Sequence, residues 1–296
     1  MADNGATVAQ PIWEDLISLN SRGLAQFEVL GPAAEYREGD THTDWSSEGD
    51  GLETALRRDT YPLPRTEDRE GYYGQSHYSY WASGYRDSRL LREACDRLGV
   101  DLRGYLDLGC ASGRVVRHFA VAGDVPEVYG CDLNRRHVDW INRFLPASAI
   151  AFQNHAIPTL PLPDNSIDAV SAYSVFTHIE AFETAWLMEL RRVLRPGGIA
   201  WITLHTERTW ATMNDNWGLY KRLRHHPDFA PYVDHANREE LPEERMVFRW
   251  YADRSYSSKV FYQRDYVHKM WSRIMDVRED HHRFPSRQDV VILQKA

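Results

Sequence analysis

The stretch Leu106-Asp107-Leu108-Gly109-Cys110-Ala111-Ser112-Gly113-Arg114 carries the strongest chemical signal in this chain. A short apolar run ends in glycines and continues into a helix-forming segment. Gly109 and Gly113 allow the backbone to approach a ligand where a Cβ would clash. In an open parallel sheet, ligands sit beyond the carboxyl ends of the strands, so the pattern predicts a nucleotide-type site. The plain alternative is a glycine turn that only links strand and helix. Asp132 closes the next apolar run, Val128-Tyr129-Gly130-Cys131, one strand-helix-strand unit further on. An ionised carboxylate there offers two acceptor oxygens to the paired hydroxyls of a ribose; otherwise it is a solvated residue or a helix cap. His178 and His205 are expected at the same rim, and histidine titrates near neutrality, so either is a candidate proton acceptor. His178 also reads as a structural or ligand-contacting residue. Asp215 and the His225-His226 pair lack the tight spacing a metal needs, and none is expected. The His281-His282 pair reads as a solvated loop. Cys95, Cys110 and Cys131 read as small buried hydrophobes rather than a disulfide framework.

The elements that position these residues alternate. Strands are expected at Tyr105–Leu108, Val128–Cys131, about Ile150–Phe152, Ile167–Ala172 and Ile199–Leu204. Helices are expected at Ser88–Leu98, Gly113–Val121, Arg135–Phe144 and Ile179–Leu194. Such alternation predicts a parallel sheet covered on both faces. Near the end, a helix at Tyr266–Ile274 and strands at Met275–Arg278 and Asp289–Leu293 close the sheet. Residues 1–75 form an extension, with a short amphipathic helix between Trp13 and Leu24 and a loop from Gly39 to Gly51. Residues 76–296 form the main domain. The segment 206–258 is too long for a simple connection, so it reads as a functional insertion.

The chain has 296 residues and a formal net charge of −8. That balance argues against a broad grip on nucleic acid or on an anionic membrane. No apolar run is long enough to cross a bilayer and no secretory leader is read at the N-terminus, so a soluble, cytoplasmic protein is expected, with a homo-oligomer compatible.

Taken together, LDLGCASGR, VYGCDL, LPLPDNSIDAVSAYSVFTH and LRRVLRPGGIAWITLH resemble the class I S-adenosylmethionine-dependent methyltransferases of small-molecule type. The tail from YVHKMW to QDVVILQK resembles that family's closing strands. The resemblance covers about Tyr78 to Arg208 well and Phe261 to Lys295 moderately. It implies a Rossmann-like α/β fold with a seven-stranded, mostly parallel sheet and helices on both faces. It also implies S-adenosylmethionine as cofactor and a small-molecule acceptor, a natural product or sugar-bearing metabolite, methylated on oxygen more readily than on nitrogen or carbon. Asp107, Gly109, Cys110 and Ala111 would hold the methionine part, with Arg114 assisting its carboxylate. Gly113 would be a further cofactor contact, Asp132 hold the ribose, and Leu133 pack on the adenine. The acid that often follows the third strand is missing, and Asn154 stands where its side-chain carbonyl would replace it. Tyr173 and Ser174 follow the fourth strand, where the Asn/Asp-Pro-Pro-Tyr/Phe group of amino methyltransferases is absent. Tyr78 and Trp81 stand where similar sequences often place an aromatic over the cofactor. Ala111 replaces a usual glycine and narrows the loop.

Methyl transfer is an in-line displacement that asks the protein for alignment and exclusion of water. His205 and His178 are the candidate bases. Tyr73, His178, Trp210 and Trp217 are the candidate acceptor contacts, since aromatics with polar tips suit an apolar pocket with a few oriented hydrogen bonds; the alternative for the aromatics is that they form the insertion's own core. Two other readings stay open: an enzyme of the same fold doing different chemistry on the same cofactor, and a non-catalytic binding subunit.

Overall fold

A computed structural model of the protein describes residues 27–40, 42–234, 238–251, 256–282 and 287–296. The helix expected between Trp13 and Leu24 lies outside them. Within the extension, β1 (Val29–Leu30) and β2 (Leu63–Pro64) pair antiparallel on either side of α1 (Asp50–Arg58). The loop expected from Gly39 to Gly51 holds a 3-10 turn at Ser46–Glu48 and the start of α1. The long helix α2 (His77–Arg97) follows, beginning well before Ser88 because the aromatic run from Tyr78 to Tyr85 is itself helical. Trp45, Leu52, Leu56 and Leu63 pack with Tyr78, Tyr80 and Trp81 in one apolar cluster. The extension is thereby fastened to α2.

The expected alternation then appears as β3 (Gly104–Leu108), α3 (Val116–Ala122), β4 (Glu127–Asp132), α4 (Arg135–Phe144), β5 (Ala149–Gln153), β6 (Ile167–Ala172), α5 (Glu183–Val193) and β7 (Leu194–Thr206). Residues 113–115 form a turn, so α3 starts later than its apolar spacing suggests, and the helix expected from Ile179 begins only at Glu183. The insertion contains α6 (Glu207–Ala211), α7 (Gly218–Leu223) and β8 (Arg245–Arg249), and leads into β9 (Ser258–Tyr262). The chain ends with α8 (Arg264–Trp271), β10 (Asp276–His282) and β11 (Asp289–Gln294).

The main sheet runs β10-β11-β7-β6-β3-β4-β5. Neighbours from β7 to β5 are parallel, and β10 and β11 are antiparallel. The seven-stranded, mostly parallel sheet is therefore present. Residues of α2, α3 and α4 cover one face and those of α5 and α8 the other, each with its own apolar cluster. The hairpin β8–β9 extends the sheet by two residue pairs at the end of β7, His205 with Phe261 and Thr206 with Tyr262. Order in the sheet reverses between β3 and β6, and the carboxyl ends of these strands open there into a cavity. In such sheets this reversal is where ligands bind.

Candidate active site

Local sequence shapes the loop after β3. Gly109 sits at φ +70°, where side chains are disfavoured, and a Cβ there would lie 2.5 Å from Val175 Cγ2. Its requirement for glycine comes from the backbone and from Val175. Gly113, at φ +83°, would meet Leu145 and Ile141 instead, so it seats the loop on α4 and does not line the cavity. Ala111 also takes a left-handed conformation, φ 45°. Its N–H donates to Asp132 Oδ2 at 2.9 Å, which holds the strained turn in place. Gly84 lets α2 touch this loop: a Cβ there would lie 1.9 Å from the Arg114 carbonyl oxygen.

The cavity has a volume of about 1350 Å³. Asp107, Gly109, Cys110, Ala111, Arg114, Asp132, Leu133, Asn154, Tyr173, Ser174, Tyr73 and His178 all line it, as the sequence reading placed them. Asp132 is anchored on three sides. Besides Ala111, the Asn134 N–H donates to its Oδ1 at 2.8 Å, and His137 Nδ1 lies 3.4 Å from it. Burial pushes the Asp132 carboxyl upward, yet His137 and the two N–H donors hold it below its ordinary value, so it is ionised. Burial pulls His137 down, but the Asp132 carboxylate outweighs this and keeps the ring above its usual value.

Asp107 is buried, with Oδ1 accepting from Ser171 Oγ at 2.7 Å and Oδ2 without a partner among the described residues. Burial raises its carboxyl to about 7. The folded chain therefore keeps a proton that the unfolded chain releases, and this carboxyl's contribution to stability falls as pH rises from about 4 to 7. Asn154 is buried too, and its Oδ1 lacks a hydrogen bond.

Several expected contacts lie elsewhere. Trp81 donates Nε1–H to Asp59 Oδ2 at 2.6 Å and stacks on Tyr85 within the α2 interior, and Tyr78 packs against it, so neither reaches the cavity. Trp210 is fully buried among Phe229, Tyr232, Phe248 and Phe261, the core of the insertion itself. Trp217 packs on that cluster and meets the His205 ring edge-on. His205 is 2% exposed and is covered by Phe261 and Trp217. Gln288, which does line the cavity, reaches His205 Nε2 at 3.4 Å, so the ring stands one side chain back from the cavity wall. Burial and the nearby Lys259 keep that ring far below its usual value. Arg114 gives Nη1–H to Asp87 at 2.6 Å and also reaches Ser83, so that part of its guanidinium is committed within the protein.

Sequence reasoning did not find Lys259. The chain has only four lysines, and this one places Nζ 2.7 Å from His178 Nε2. Burial lowers Lys259 to about 7, with Arg222 adding to the effect and Glu70 opposing it. Burial lowers His178 to about 3, with Lys259 contributing. The two nitrogens are thus within hydrogen-bond distance of each other, and burial disfavours the charged form of both. Asn134, His137 and Gln288 also escaped notice, because they reach the site only through turns and distant strands.

A family model described as "Methyltransferase domain" matches residues 106–202. The matched stretch runs from β3 to β7 and contains Asp107, Gly109, Asp132 and Asn154. Over that third of its length the chain is similar to S-adenosylmethionine-dependent methyltransferases. The methyltransferase domain is similar to several curated proteins. A malonyl-[acyl-carrier protein] O-methyltransferase of Yersinia pestis is 29% identical over 149 residues, 49% of this chain and 54% of that one. A sterol 24-C-methyltransferase of Gibberella zeae is 33% identical over 98 residues, 32% of this chain and 25% of that one. The chain thus spans about a quarter to a half of the length of these relatives. Among solved structures, the CcbJ methyltransferase from Streptomyces caelestis superposes with a TM-score of 0.49 at 15% identity, covering 72% of this chain and 90% of that one.

The cofactor of such methyltransferases is S-adenosylmethionine, and the cavity offers it two independent orphaned acceptors. Asp107 Oδ2 suits the ammonium of the methionine arm, and Asn154 Oδ1 suits the adenine amine, while Asp132 lies between them along the carboxyl ends of β3, β4 and β5. Two results are expected. Asp132→Ala weakens S-adenosylhomocysteine by roughly 1.5–3 kcal/mol, or about 10–150-fold, in calorimetric titration; an unchanged dissociation constant would refute the ribose assignment. A cation held at Asp107 displaces its proton, so affinity for S-adenosylhomocysteine rises severalfold between about pH 6 and pH 8 and then levels off. Titration over that range should show the rise in the wild type and a flat profile in Asp107→Asn.

Proposed function

We propose that this protein transfers a methyl group from S-adenosylmethionine to an oxygen atom of a small-molecule acceptor, a natural product or sugar-bearing metabolite. The observation that carries the proposal is the size and lining of one cavity. At about 1350 Å³ it exceeds the roughly 300–1,000 Å³ that a single small ligand needs. Cofactor determinants lie toward β3, β4 and β5, and a second set, Ser174, His178, Trp186, Tyr256 and Gln288, lies beyond β6.

When bound, S-adenosylmethionine supplies a methyl group made electrophilic by its sulfonium centre. The residues of this chain do the rest. Asp107, Asp132 and Asn154 hold and orient the cofactor, while Tyr73 and Tyr173 wall the middle of the cavity against water. The acceptor hydroxyl gives up its proton to the His178–Lys259 pair, and its oxygen then faces the methyl carbon in line. This assigns the base to His178 with Lys259 rather than to His205.

Oxygen is favoured because a hydroxyl needs a base and because the relative matched over the longer stretch is named an O-methyltransferase. The net charge of −8 speaks for a small-molecule acceptor over nucleic acid. No helix among the described residues is long and apolar enough to cross a membrane. Cys95, Cys110 and Cys131 are buried and free, which suits a reducing, cytoplasmic setting.

Methyl-labelled cofactor incubated with panels of hydroxylated, carboxylated and amino acceptors tests the proposal. Label in an ether or ester product, with S-adenosylhomocysteine released, supports it. Tight binding of S-adenosylhomocysteine with no label transferred to any panel would favour a different reaction in the same fold, or a binding subunit.

A further inference from the structure

Arg69 ends the 3-10 turn Thr66–Arg69 in the extension, outside the residues that match the family, and it is 1% exposed. Its Nη2 donates to the Gly74 carbonyl at 2.6 Å and reaches Thr66 Oγ1 at 3.4 Å and His77 Nδ1 at 2.6 Å. Its Nε and Nη1 have no hydrogen-bond partner among the described residues, and no carboxylate there forms an ion pair with it. Arg117, also buried, holds Asp59, and the half-buried Arg114 holds Asp87. An arginine does not escape burial by losing its proton, so an unpaired guanidinium at this depth carries a large desolvation penalty until an anion meets it.

A second orphan stands beside it. The guanidinium lies over the Tyr80 ring, 4.7 Å from its centroid. Tyr80 is 2% exposed, its hydroxyl has no partner, and burial raises it to about 12, so it keeps its proton and can donate. Both side chains line the main cavity. N–H and O–H donors around one fixed positive charge match a carboxylate, which forms charge-assisted bonds with both.

We propose that Arg69 and Tyr80 form an anion subsite that receives the carboxylate of a ligand bound in the main cavity. Two ligands could bring that group: the amino-acid arm of the cofactor, or a carboxylated acceptor. The orphaned Asp107 Oδ2 lines the same cavity with the opposite charge. An amino-acid arm presents an ammonium and a carboxylate together, so this complementarity favours the cofactor. That assignment rests on the methyl-transfer reading; the subsite itself does not.

The test compares S-adenosylhomocysteine with 5′-methylthioadenosine, which lacks the amino-acid arm, by calorimetry on the wild type and Arg69→Gln. The expected result is a loss of about tenfold or more for S-adenosylhomocysteine, with 5′-methylthioadenosine changed by less than about twofold. Tyr80→Phe, which keeps the ring over Arg69, should show the same selectivity with a smaller loss, and it decides the matter if Arg69→Gln does not fold. A second arm measures the unfolding temperature in acetate against chloride at equal ionic strength. If Arg69→Gln leaves S-adenosylhomocysteine unaffected, but acetate stabilises the wild type loaded with it and not the loaded variant, the subsite serves the acceptor. Equal losses for both adenosine ligands would overturn the proposal, as would no change in either together with no Arg69-dependent effect of acetate. If neither adenosine ligand binds the wild type, the methyl-transfer reading fails, and acetate on the protein alone still decides the subsite.

Discussion

Asp59→Ala is expected to lower the free energy of unfolding by about 3–5 kcal/mol, the usual consequence of stripping one partner from a buried ion pair. Arg117 and Asp59 are 0% and 1% exposed, and they meet through two parallel bonds, Nε to Oδ2 at 2.8 Å and Nη2 to Oδ1 at 2.9 Å. Trp81 Nε1–H donates to the same carboxylate. Without Asp59 the Arg117 guanidinium keeps only the Pro62 and Tyr61 carbonyls, and the indole N–H loses its acceptor. Urea denaturation checks the figure. The double variant Asp59→Ala/Arg117→Met should recover part of the loss, because the unpaired charge leaves with the arginine. Burial raises the Asp59 carboxyl, but Arg117 more than offsets this, so its folded value lies below its ordinary one. Its contribution is therefore complete above about pH 4 and is lost as pH falls through the lower, folded value. A loss under about 1 kcal/mol would show that the extension is held by its apolar cluster alone.

The other large effect is expected at the proposed base. His178→Ala should lower kcat by about 10²–10⁴-fold while sparing affinity for S-adenosylhomocysteine. Lys259→Met should behave alike, since the two side chains meet within hydrogen-bond distance. Burial lowers Lys259 to about 7, with Arg222 adding to the effect and Glu70 opposing it, and Lys259 and Arg222 also press on His178. The wild-type rate should rise as pH climbs through that value, because the pair accepts a proton only after losing its own. His205→Ala should retain most of the activity, with its ring set behind Gln288. A wild-type rate flat from pH 6 to 9, or a His205 variant slower than both others, would move the base elsewhere.

The sheet and the residues that line the cavity along β3 and β4 were legible in the sequence because their determinants are local. Leu106 to Arg114 holds a strand, a left-handed turn and a helix start in one stretch, and Asp132 ends the adjacent strand. What resisted reading depends on which distant surfaces meet. Trp81 and Trp210 have the composition of pocket walls, but an indole fills a core as readily as it lines a cavity. Only the packing of α1 on α2, and of β8 on β9, decides between the two. His205 ends β7 as expected, yet the pairing of β9 with that end of the strand, invisible to periodicity, covers its ring with Phe261. Arg69, Tyr80 and Lys259 come from the extension, α2 and β9, far apart in the chain. A lone arginine or lysine in a polar stretch announces nothing until its counter-charge is seen to be missing.

Among the described residues the hairpin β8–β9 pairs with the main sheet through two residue pairs at the end of β7, and together with the insertion it encloses an apolar interior built around Trp210, Phe229 and Phe248. Sequence drift within that interior is therefore buffered from the strands that carry Asp107 and Asp132. That interior can be rebuilt or lengthened while the strands that carry Asp107 and Asp132 keep their fold.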